Sequence, residues 1–372
     1  MTTPAEPRLP DGVPVTRVRS AGGDEARVRT PSSSCARRRA LDGVGALLVV
    51  VAVGTIYAAA GASGGRARPE AALLVGAAAA LMIGRAIGRV SRPVVPALVV
   101  LAALALAVSS RRDLFSKAPL SGPFGYDNAK GSFFALAAVA GLMLVAGSRG
   151  RLMKAFGVAA ALGFGAVPVA SSSVAASIVV LAVPAIGMAA ATLATARVGV
   201  VAVATLFVAI LAATVVLGGS AWARSHEGAL DRVFSASISE RRITLWHEAI
   251  GMMTAHQAFG VGPGRFRFES PTARVDPDAS WAHNEFLQQG AETGVPGFVA
   301  LLLLFAWGFA RLWSSNQPDA FVVMGAVALA VLGIHACVDY VMHFPAIPVT
   351  TAALVGAATA AGRLLTPEIG TR

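Results

Sequence analysis

The chain contains many apolar segments of about twenty residues with few charges, and these segments restrict the chain to one class of fold. The runs are long enough to cross a hydrocarbon core of about 30 Å. Only helices and closed barrels satisfy the backbone polar groups inside lipid, and hydrophobicity that is continuous rather than alternating excludes a barrel. Charged residues make up 14% of the chain, against roughly 25% in soluble domains. The sequence therefore predicts an all-α integral membrane protein.

These runs predict about ten transmembrane helices. Two runs are less regular than the others, because Arg85 interrupts the second and Pro168 lies near the end of the fifth. The runs consist mostly of Ala, Val, Leu and Gly, which is typical of closely packed membrane helices. The predicted spans are 42–62, 71–90, 94–109, 131–148, 155–170, 173–194, 198–218, 296–314, 320–339 and 346–364.

The basic residues predict how the chain is oriented, since Arg and Lys concentrate on the cytoplasmic side. Residues 1–40 are rich in Pro, Gly, Ser and Arg, so we expect a disordered basic tail in the cytoplasm. The segment 110–130 departs from the rule, because it is basic and yet falls outside in a ten-span topology. The remaining parts are then N-terminal helices over 41–218, a long extracytoplasmic loop over 219–296, C-terminal helices over 297–364 and a cytoplasmic tail over 365–372.

The N-terminal region has two further features. Residues 37–60 resemble a cleaved signal, with Ala58-Ala59-Ala60 as the cleavage site, but the long leader and the many later spans favour a retained helix. The net charge of +11 comes largely from the tail. Anionic lipid headgroups explain this charge better than nucleic acid, so no nucleic-acid partner is expected. Cys35 lies in the tail and Cys337 in a span, so no disulfide is expected.

Few ionisable residues lie within the predicted spans, and Arg85, His335 and Asp339 stand out. A charge inside the membrane suggests function by default. Arg85 also has a simpler interpretation, since its side chain can reach the cytoplasmic surface. His335 and Asp339 are one helical turn apart, and either they pair with each other and lock their helix or they line the floor of an outer site.

The polar segment 219–296 contains most of the groups that could do chemistry. Residues 239–256 predict an amphipathic helix, because Ile243, Trp246, Ile250 and Met253 recur at steps of three and four. A glycine-rich turn follows and leads to Arg265 and Arg267, and His283 is expected at the beginning of a later helix that continues into the next span. Four of the six histidines lie in this segment, namely His226, His247, His256 and His283.

Most familiar catalytic motifs are absent from the segment. His247-Glu248 begins like a zinc-protease helix, but Gly251 stands where the second histidine is needed. The chain has no Cys/His cluster with metal spacing, no phosphate-binding loop with its lysine and no Gly-x-Ser-x-Gly elbow. Arginines near one candidate base remain. Such a set suits a reaction in which a phosphate-bearing donor is held and an alcohol is deprotonated.

Short motifs also follow one another in a characteristic order. In the loop, Arg242 lies four residues before Trp246, a glycine turn follows, and His283 begins HNEFLQQGAETGVPG. GPFGYDNAKG precedes the loop and HACVDYVMHFP follows it. Over roughly 120–360, this order resembles the O-antigen ligase and polymerase superfamily. The matching residues are Arg242, Trp246, Gly260, Gly262, Phe266, His283, Asn284, Leu287, Glu292, Gly294 and Gly297, with Tyr126 and Asn128 upstream.

The resemblance implies a membrane glycosyltransferase that acts outside the cytoplasmic membrane. Such enzymes move a glycan from a polyprenyl diphosphate carrier, such as undecaprenyl diphosphate, to a hydroxyl of a glycan, lipid or cell-wall polymer, without metal or other cofactor. Carried over, His283 is the general base and Arg242 binds the diphosphate, while a single displacement inverts the anomeric centre. The substrate-binding residues implied or suggested are Arg265, Arg267, Tyr126, Asn128 and Glu292, of which Glu292 either orients His283 or caps the glycine turn.

The chain departs from the family in two respects. A Ser-Arg pair that members often carry before the loop is replaced by Ser171-Ser172-Ser173, and the chain has about ten spans where larger members have about twelve. Another residue, such as Arg265 or Arg112, could supply the missing charge, or the activity could differ. A ligase and a repeat-unit polymerase remain open, as do a transporter of small anions and a non-catalytic assembly partner.

Overall fold

The computed structural model describes residues 31–110, 126–170, 174–219, 240–276 and 279–361. Within these ranges the regular structure is helical throughout. The helices are α1 Pro31–Ser63, α2 Ala67–Val90, α3 Val94–Ser109, α4 Asp127–Gly147, α5 Arg151–Ala170, α6 Val174–Leu193, α7 Ala196–Gly219, α8 Glu240–Ala255, α9 Phe266–Glu269, α10 Pro271–Val275, α11 Glu285–Trp313, α12 Asp319–Val338 and α13 Ala346–Ala358, with a 3₁₀ turn at Val341–His343.

The all-α membrane architecture is confirmed. Among the described residues, seven helices (α1, α2, α4, α5, α7, α11 and α12) are long and apolar enough to cross a membrane. Three shorter apolar helices lie at Val94–Ser109, Val180–Leu193 and Ala346–Ala358. At 1.5 Å per residue these three rise only about 20 to 24 Å. Each of the ten predicted spans falls on one of these apolar helices.

Several helix boundaries differ from the predicted spans, and three of them differ most. α1 begins at Pro31, so the last part of the tail expected to be disordered is helical, in keeping with the strong helix formers Ala, Arg and Leu at 36–41. α11 begins at Glu285 rather than near 296, because the helix expected to start in the loop does continue into the span. α13 ends at Ala358. Residues 1–30 and 362–372 lie outside the described residues.

Two helices form the centre of the bundle. In α4 and α12, 83% and 89% of the most apolar stretch is buried, against 22% in α1. Phe134, Leu136, Ala326 and Ala330 are fully buried there. The residues at the ends of these two helices are therefore held in fixed positions by the packing of the core.

A network of ion pairs ties α1, α2, α11 and α13 together, far from the loop. Asp42 lies 2.8 Å from Arg85 and 2.7 Å from Arg311, and Arg85 also donates to the Thr359 hydroxyl. Arg85 is only 5% exposed. The interpretation that its side chain reaches the membrane surface is therefore wrong, since a buried guanidinium needs a counter-charge and Asp42 supplies it.

The glycine-rich turn packs against a kink in α11. Val261 and Gly262 donate backbone hydrogen bonds to the carbonyls of Ala291 and Glu292. Gly294 has a φ of 72°, and a Cβ there would lie 2.5 Å from the Gln257 carbonyl oxygen. A side chain at this position would therefore separate the turn from the helix.

Candidate active site

Asp339 lies at the end of α12 and forms the centre of a polar cluster. It caps the helix in an extended conformation, and it is 1% exposed. Its carboxylate accepts a hydrogen bond from the backbone N–H of Tyr340. Four side chains from three other parts of the chain also reach it: Tyr126, Asn128, Arg242 and His283.

Tyr126 and Asn128 approach from the start of α4. The Tyr126 hydroxyl is 2.9 and 2.7 Å from the two oxygens of Asp339. The Asn128 amide donates to Asp339 Oδ2 and to the Tyr126 hydroxyl. Burial, together with the negative charge of Asp339, raises the pKa of Tyr126, so this phenol stays protonated and acts as a donor.

Arg242 approaches from the first turn of α8. Its Nη1 donates to the Val338 carbonyl at 2.8 Å, and its Nη2 is 3.5 Å from Asp339 Oδ2. Glu248, further along the same helix, binds Ser270 and Thr272 instead. Arg242 thus stabilises the carbonyl end of α12, where a cation is favoured.

His283 precedes the first turn of α11. It has a φ of 51°, and Asn284, not His283, caps the helix by accepting from the Leu287 N–H. The indole N–H of Trp246 donates to the His283 carbonyl at 3.2 Å. The position expected at the beginning of the helix is therefore one residue outside it, which lets the imidazole turn toward Asp339.

The electrostatics of the cluster fix the protonation of Asp339. Burial alone would raise the pKa of this carboxyl, but the hydrogen bond from His283 and the charge of Arg242 outweigh burial and lower the pKa to about 2. An ionised carboxylate can only accept hydrogen bonds. Because Nδ1 of His283 is 3.1 Å from Asp339 Oδ1, Nδ1 carries the proton in this contact and Nε2 remains available as an acceptor.

The order of these motifs agrees with a comparison against known families. Residues 125–302 match the family model described as O-Antigen ligase. This match supports the assignment of the chain to the O-antigen ligase superfamily. Comparison with curated proteins gives no match. The matched segment contains Tyr126, Asn128, Arg242 and His283, whereas Asp339 lies beyond it.

The family match supports a membrane function of the O-antigen ligase or polymerase type. The family description and the membrane helices together make the chain a multi-pass membrane protein. Four of the seven residues singled out in the sequence for the site meet at Asp339. The other three, Arg265, Arg267 and Glu292, lie apart from it.

The three outlying residues have other contacts. Arg265 donates to the Ser63 carbonyl and pairs with Glu269 at 2.7 Å. The Arg267 guanidinium lies 4.5 Å from the centre of the Phe268 ring. Glu292 accepts from the N–H groups of Gly264 and Phe266 at 2.8 and 3.1 Å, so it caps the glycine turn rather than orienting His283.

The sequence left two alternatives open for Asp339, pairing with His335 or lining an outer site. His335 binds the Ser132 hydroxyl at 2.7 Å, whereas Asp339 contacts His283. The alternative in which His335 and Asp339 pair is therefore wrong, and for Asp339 the site-lining alternative holds. The feature of the sequence that pointed to Asp339 was its position as an acidic residue at the very end of a predicted span. Ser171–Ser173 and Arg112, which concern the missing Ser-Arg pair, lie outside the described residues.

A second acid–imidazole pair, which the sequence did not reveal, lies beside the first. His343 Nδ1 is 2.8 Å from Glu285 Oε1, and the same oxygen accepts from the Met342 N–H. Burial lowers the pKa of His343, but the charge and hydrogen bond of Glu285 outweigh burial and raise the pKa to about 9. Trp281 and Tyr340 separate the two pairs, with ring centres 4.1 Å from His343 and 5.0 Å from His283 respectively.

Proposed function

We propose that this protein is an O-antigen ligase-like glycosyltransferase that moves a glycan from a polyprenyl diphosphate carrier to a hydroxyl acceptor. The observation that carries the proposal is the convergence of His283 and Arg242 on the single carboxylate of Asp339. A base and a fixed cation side by side are what transfer from a diphosphate to an alcohol requires.

His283 is the proposed general base. Asp339 accepts from Nδ1 and so orients the ring, which leaves Nε2 to receive the acceptor's proton. Once protonated, the imidazolium is stabilised by the adjacent carboxylate, because the low pKa of Asp339 keeps that carboxylate ionised. Positioned bases of this kind typically contribute about 10²- to 10⁴-fold to the rate.

Arg242 is the proposed ligand of the leaving diphosphate. Its guanidinium is held by the end of α12 and its side chain is 17% exposed, so a donor could reach it. Negative charge grows on the diphosphate as it departs, and a preorganised cation stabilises that charge in the transition state. Arginine also suits phosphate oxygens because it binds them in a bidentate manner.

The proposed step is a single displacement. The acceptor oxygen forms a bond to the anomeric carbon while its proton passes to Nε2 of His283. The bond between the anomeric carbon and the diphosphate oxygen breaks, and its electron pair leaves with the polyprenyl diphosphate. Attack opposite the leaving group inverts the anomeric centre. This scheme uses only side chains of the cluster, with no metal or other cofactor assigned a role.

The proposal places the cluster on the outer side of the cytoplasmic membrane. The basic residues favour cytoplasmic termini and an extracytoplasmic loop over 219–296, in which Arg242 and His283 lie. In this topology 41–218 and 297–364 are membrane helices, and the substrates are a lipid-linked glycan, a hydroxyl acceptor and the surrounding lipid.

The test is the polyprenyl-linked glycan pool in cells that lack the protein, complemented with wild type or with His283→Gln. A ligase defect should accumulate long lipid-linked polymer, and a polymerase defect should accumulate single repeat units. We expect His283→Gln to behave like the deletion, and the exposed loop variant His256→Gln to behave like wild type.

The outcomes discriminate between the functions. Restoration of the wild-type pool by His283→Gln would refute the catalytic assignment. A deletion that leaves the pool unchanged would overturn the transferase proposal and favour transport of small anions or a role as an assembly partner, since neither depends on this base.

A further inference from the structure

The proposed base lies where two short segments of the chain meet. Residues 281–285 lead into α11, and residues 339–343 connect α12 to α13. Each segment contributes one residue to both acid–imidazole pairs of the site. The paired atoms are 3.1 Å apart in the pair that contains Asp339 and 2.8 Å apart in the pair that contains His343. Because the segments are joined at two points, they cannot slide past each other without breaking one of the pairs.

Tyr340 contacts both members of the pair formed by His283 and Asp339. Its backbone N–H donates at 2.8 Å to Asp339 Oδ1, the same oxygen that faces Nδ1 of His283. Its ring centre lies 5.0 Å from that of the imidazole, and the two planes are 79° apart. Such an edge-to-face contact is a preferred arrangement of aromatic rings. Tyr340 thus restrains the carboxylate through its backbone and the imidazole through its side chain.

The imidazole needs a second contact to have a fixed orientation. The hydrogen bond to Asp339 fixes one atom of the ring, Nδ1, and the ring can still tilt about that atom. The terminal torsion of a histidine side chain is broad rather than confined to narrow wells, and the His283 side chain is 13% exposed. Contact with the Tyr340 ring removes this freedom and so fixes the direction of Nε2.

The Tyr340 ring is itself held between two other rings. Its centre lies 4.7 Å from the Tyr126 ring and 5.8 Å from the Trp281 ring, with interplanar angles of 25° and 19°. Tyr126 is bound to Asp339 through its hydroxyl. Partly exposed side chains without such neighbours change rotamer within nanoseconds. The stack of three rings therefore gives Tyr340 a defined orientation.

The second acid–imidazole pair stabilises the far end of this stack. The centres of the Trp281 and His343 rings are 4.1 Å apart. With a pKa of about 9, His343 is a cation at neutral pH, and a cation close to an indole ring is attracted to it. Glu285 binds this imidazole and also accepts from the Met342 N–H. The position of Trp281 is therefore tied to both segments.

We propose that Tyr340 is a positioning residue for the general base. Its ring sets the plane of the His283 imidazole, and Trp281, held by the second acid–imidazole pair, keeps Tyr340 in place. Asp339 fixes which nitrogen carries the proton, and Tyr340 fixes the direction in which the other nitrogen points. The assignment of His283 as a base rests on the proposed function, whereas the restraint on its ring does not.

The first test measures the imidazole without donor or turnover. The full chain in phosphatidylcholine nanodiscs is treated with diethyl pyrocarbonate, and mass spectrometry follows the rate at which His283 is carbethoxylated. Tyr340→Leu removes the ring and keeps the backbone N–H, so Nε2 is exposed more often. We expect His283 to react about 2- to 10-fold faster, which corresponds to the loss of one aromatic pair. Tyr340→Phe keeps the ring and should react at the wild-type rate.

Phe344→Leu is the matched control, because it makes the same kind of change beside the stack. The Phe344 ring centre lies 5.8 Å from that of Tyr126 and 5.9 Å from that of Tyr340. We expect His283 to react at the wild-type rate in this variant. The comparison separates contact with the imidazole from the loss of an aromatic ring nearby.

Trp281→Leu is a second variant that leaves the Tyr340 ring in the chain. It removes one neighbour of that ring, so His283 should again react faster than in wild type, by less than in Tyr340→Leu. This variant keeps the proposal testable if Tyr340→Leu does not fold. His256, which is exposed in the loop, is the internal reference and should react equally in every variant.

The second test compares kcat and KM for glycan transfer, with kcat expressed per folded molecule. A base that points away from the acceptor slows the chemical step and leaves substrate binding in place. Tyr340→Leu should therefore lower kcat by about tenfold with little change in KM. Tyr340→Phe should retain the wild-type kcat, because the ring and not the hydroxyl contacts the imidazole.

The outcomes separate this proposal from the proposed function. If His283 reacts no faster in Tyr340→Leu and Trp281→Leu than in wild type, the rings do not restrain the imidazole and the proposal is wrong. An equal acceleration in Phe344→Leu would also overturn the assignment to Tyr340. If Tyr340→Leu frees the ring and His283→Gln still transfers glycan, the restraint stands and the catalytic scheme alone is wrong.

Discussion

The indole N–H of Trp246 donates a hydrogen bond to the carbonyl oxygen of His283 at 3.2 Å. Trp246 is fully buried, packed on α8 against α7 and α11. The backbone of the proposed base is therefore held by a residue of the apolar stripe that the sequence predicts on this helix. Its burial makes it a packing residue with a positioning role.

Trp246→Phe tests this positioning. A phenyl ring keeps part of the packing, but the hydrogen bond to His283 is lost, at a cost of about 1 kcal/mol of stability, and the smaller ring adds the cost of the cavity that it leaves. We expect transfer activity to fall by roughly tenfold, because a small displacement of a base weakens proton transfer. Activity in membranes and thermal unfolding of the purified protein measure the two effects. Trp313→Phe, on a half-exposed ring at the far end of α11, is the matched control, and equal losses in both variants would contradict the positioning role.

Asp339→Asn tests the pairing with His283. The amide has nearly the same shape but cannot act as an ionised acceptor for Nδ1–H, so the ring loses its fixed tautomer. We expect kcat to fall by about 10²- to 10⁴-fold with a smaller change in KM. Steady-state kinetics with a lipid-linked glycan would measure both. Asp319→Asn, exposed at the other end of α12, should retain wild-type kinetics, and a wild-type kcat in Asp339→Asn would remove Asp339 from the mechanism.

The His343–Glu285 pair predicts a pH dependence of stability. The folded pKa of His343, about 9, lies above its ordinary value of 6.5. The stability contributed by the pair is therefore fully present below about pH 6.5 and is lost as the pH rises through about 9. We expect His343→Gln to destabilise the protein by about 1.5 to 3 kcal/mol at pH 6 and by much less at pH 10. Thermal unfolding of wild type and variant across this range measures the difference, and a constant difference would argue against a charged pair.

Gly294→Ala tests the contact between the glycine turn and α11. The residue has a φ of 72°, and a Cβ would lie 2.5 Å from the Gln257 carbonyl oxygen. We expect a loss of about 1 to 3 kcal/mol in unfolding free energy, because strain and displacement of the turn add together. Gly251→Ala serves as the control, since it lies within α8 with open space around it and should be neutral or stabilising by about 0.5 to 1 kcal/mol. Similar unfolding curves for Gly294→Ala and wild type would show that the turn tolerates a side chain.

The membrane class and the positions of the apolar helices follow from the amino-acid sequence. Both depend on the length and continuity of hydrophobic runs, which are local properties of the chain. The same holds for α8, because the spacing of Ile243, Trp246, Ile250 and Met253 marks one face of a helix without reference to the rest of the protein. The order of the motifs also placed Arg242 and His283 in one family signature.

Which side chains come into contact depends on how the helices pack. Arg242 and Asp339 are 97 positions apart, and their contact depends on how α8 and α12 pack. One turn of α12 separates His335, which faces Ser132, from Asp339, which faces His283. Spacing alone left open whether the two pair with each other or line a site. The role of Glu292 was also open in the sequence. The packing of the glycine turn against α11 provides its carboxylate with two N–H donors. Contacts between distant segments follow from packing of the whole bundle, and a local pattern does not encode them.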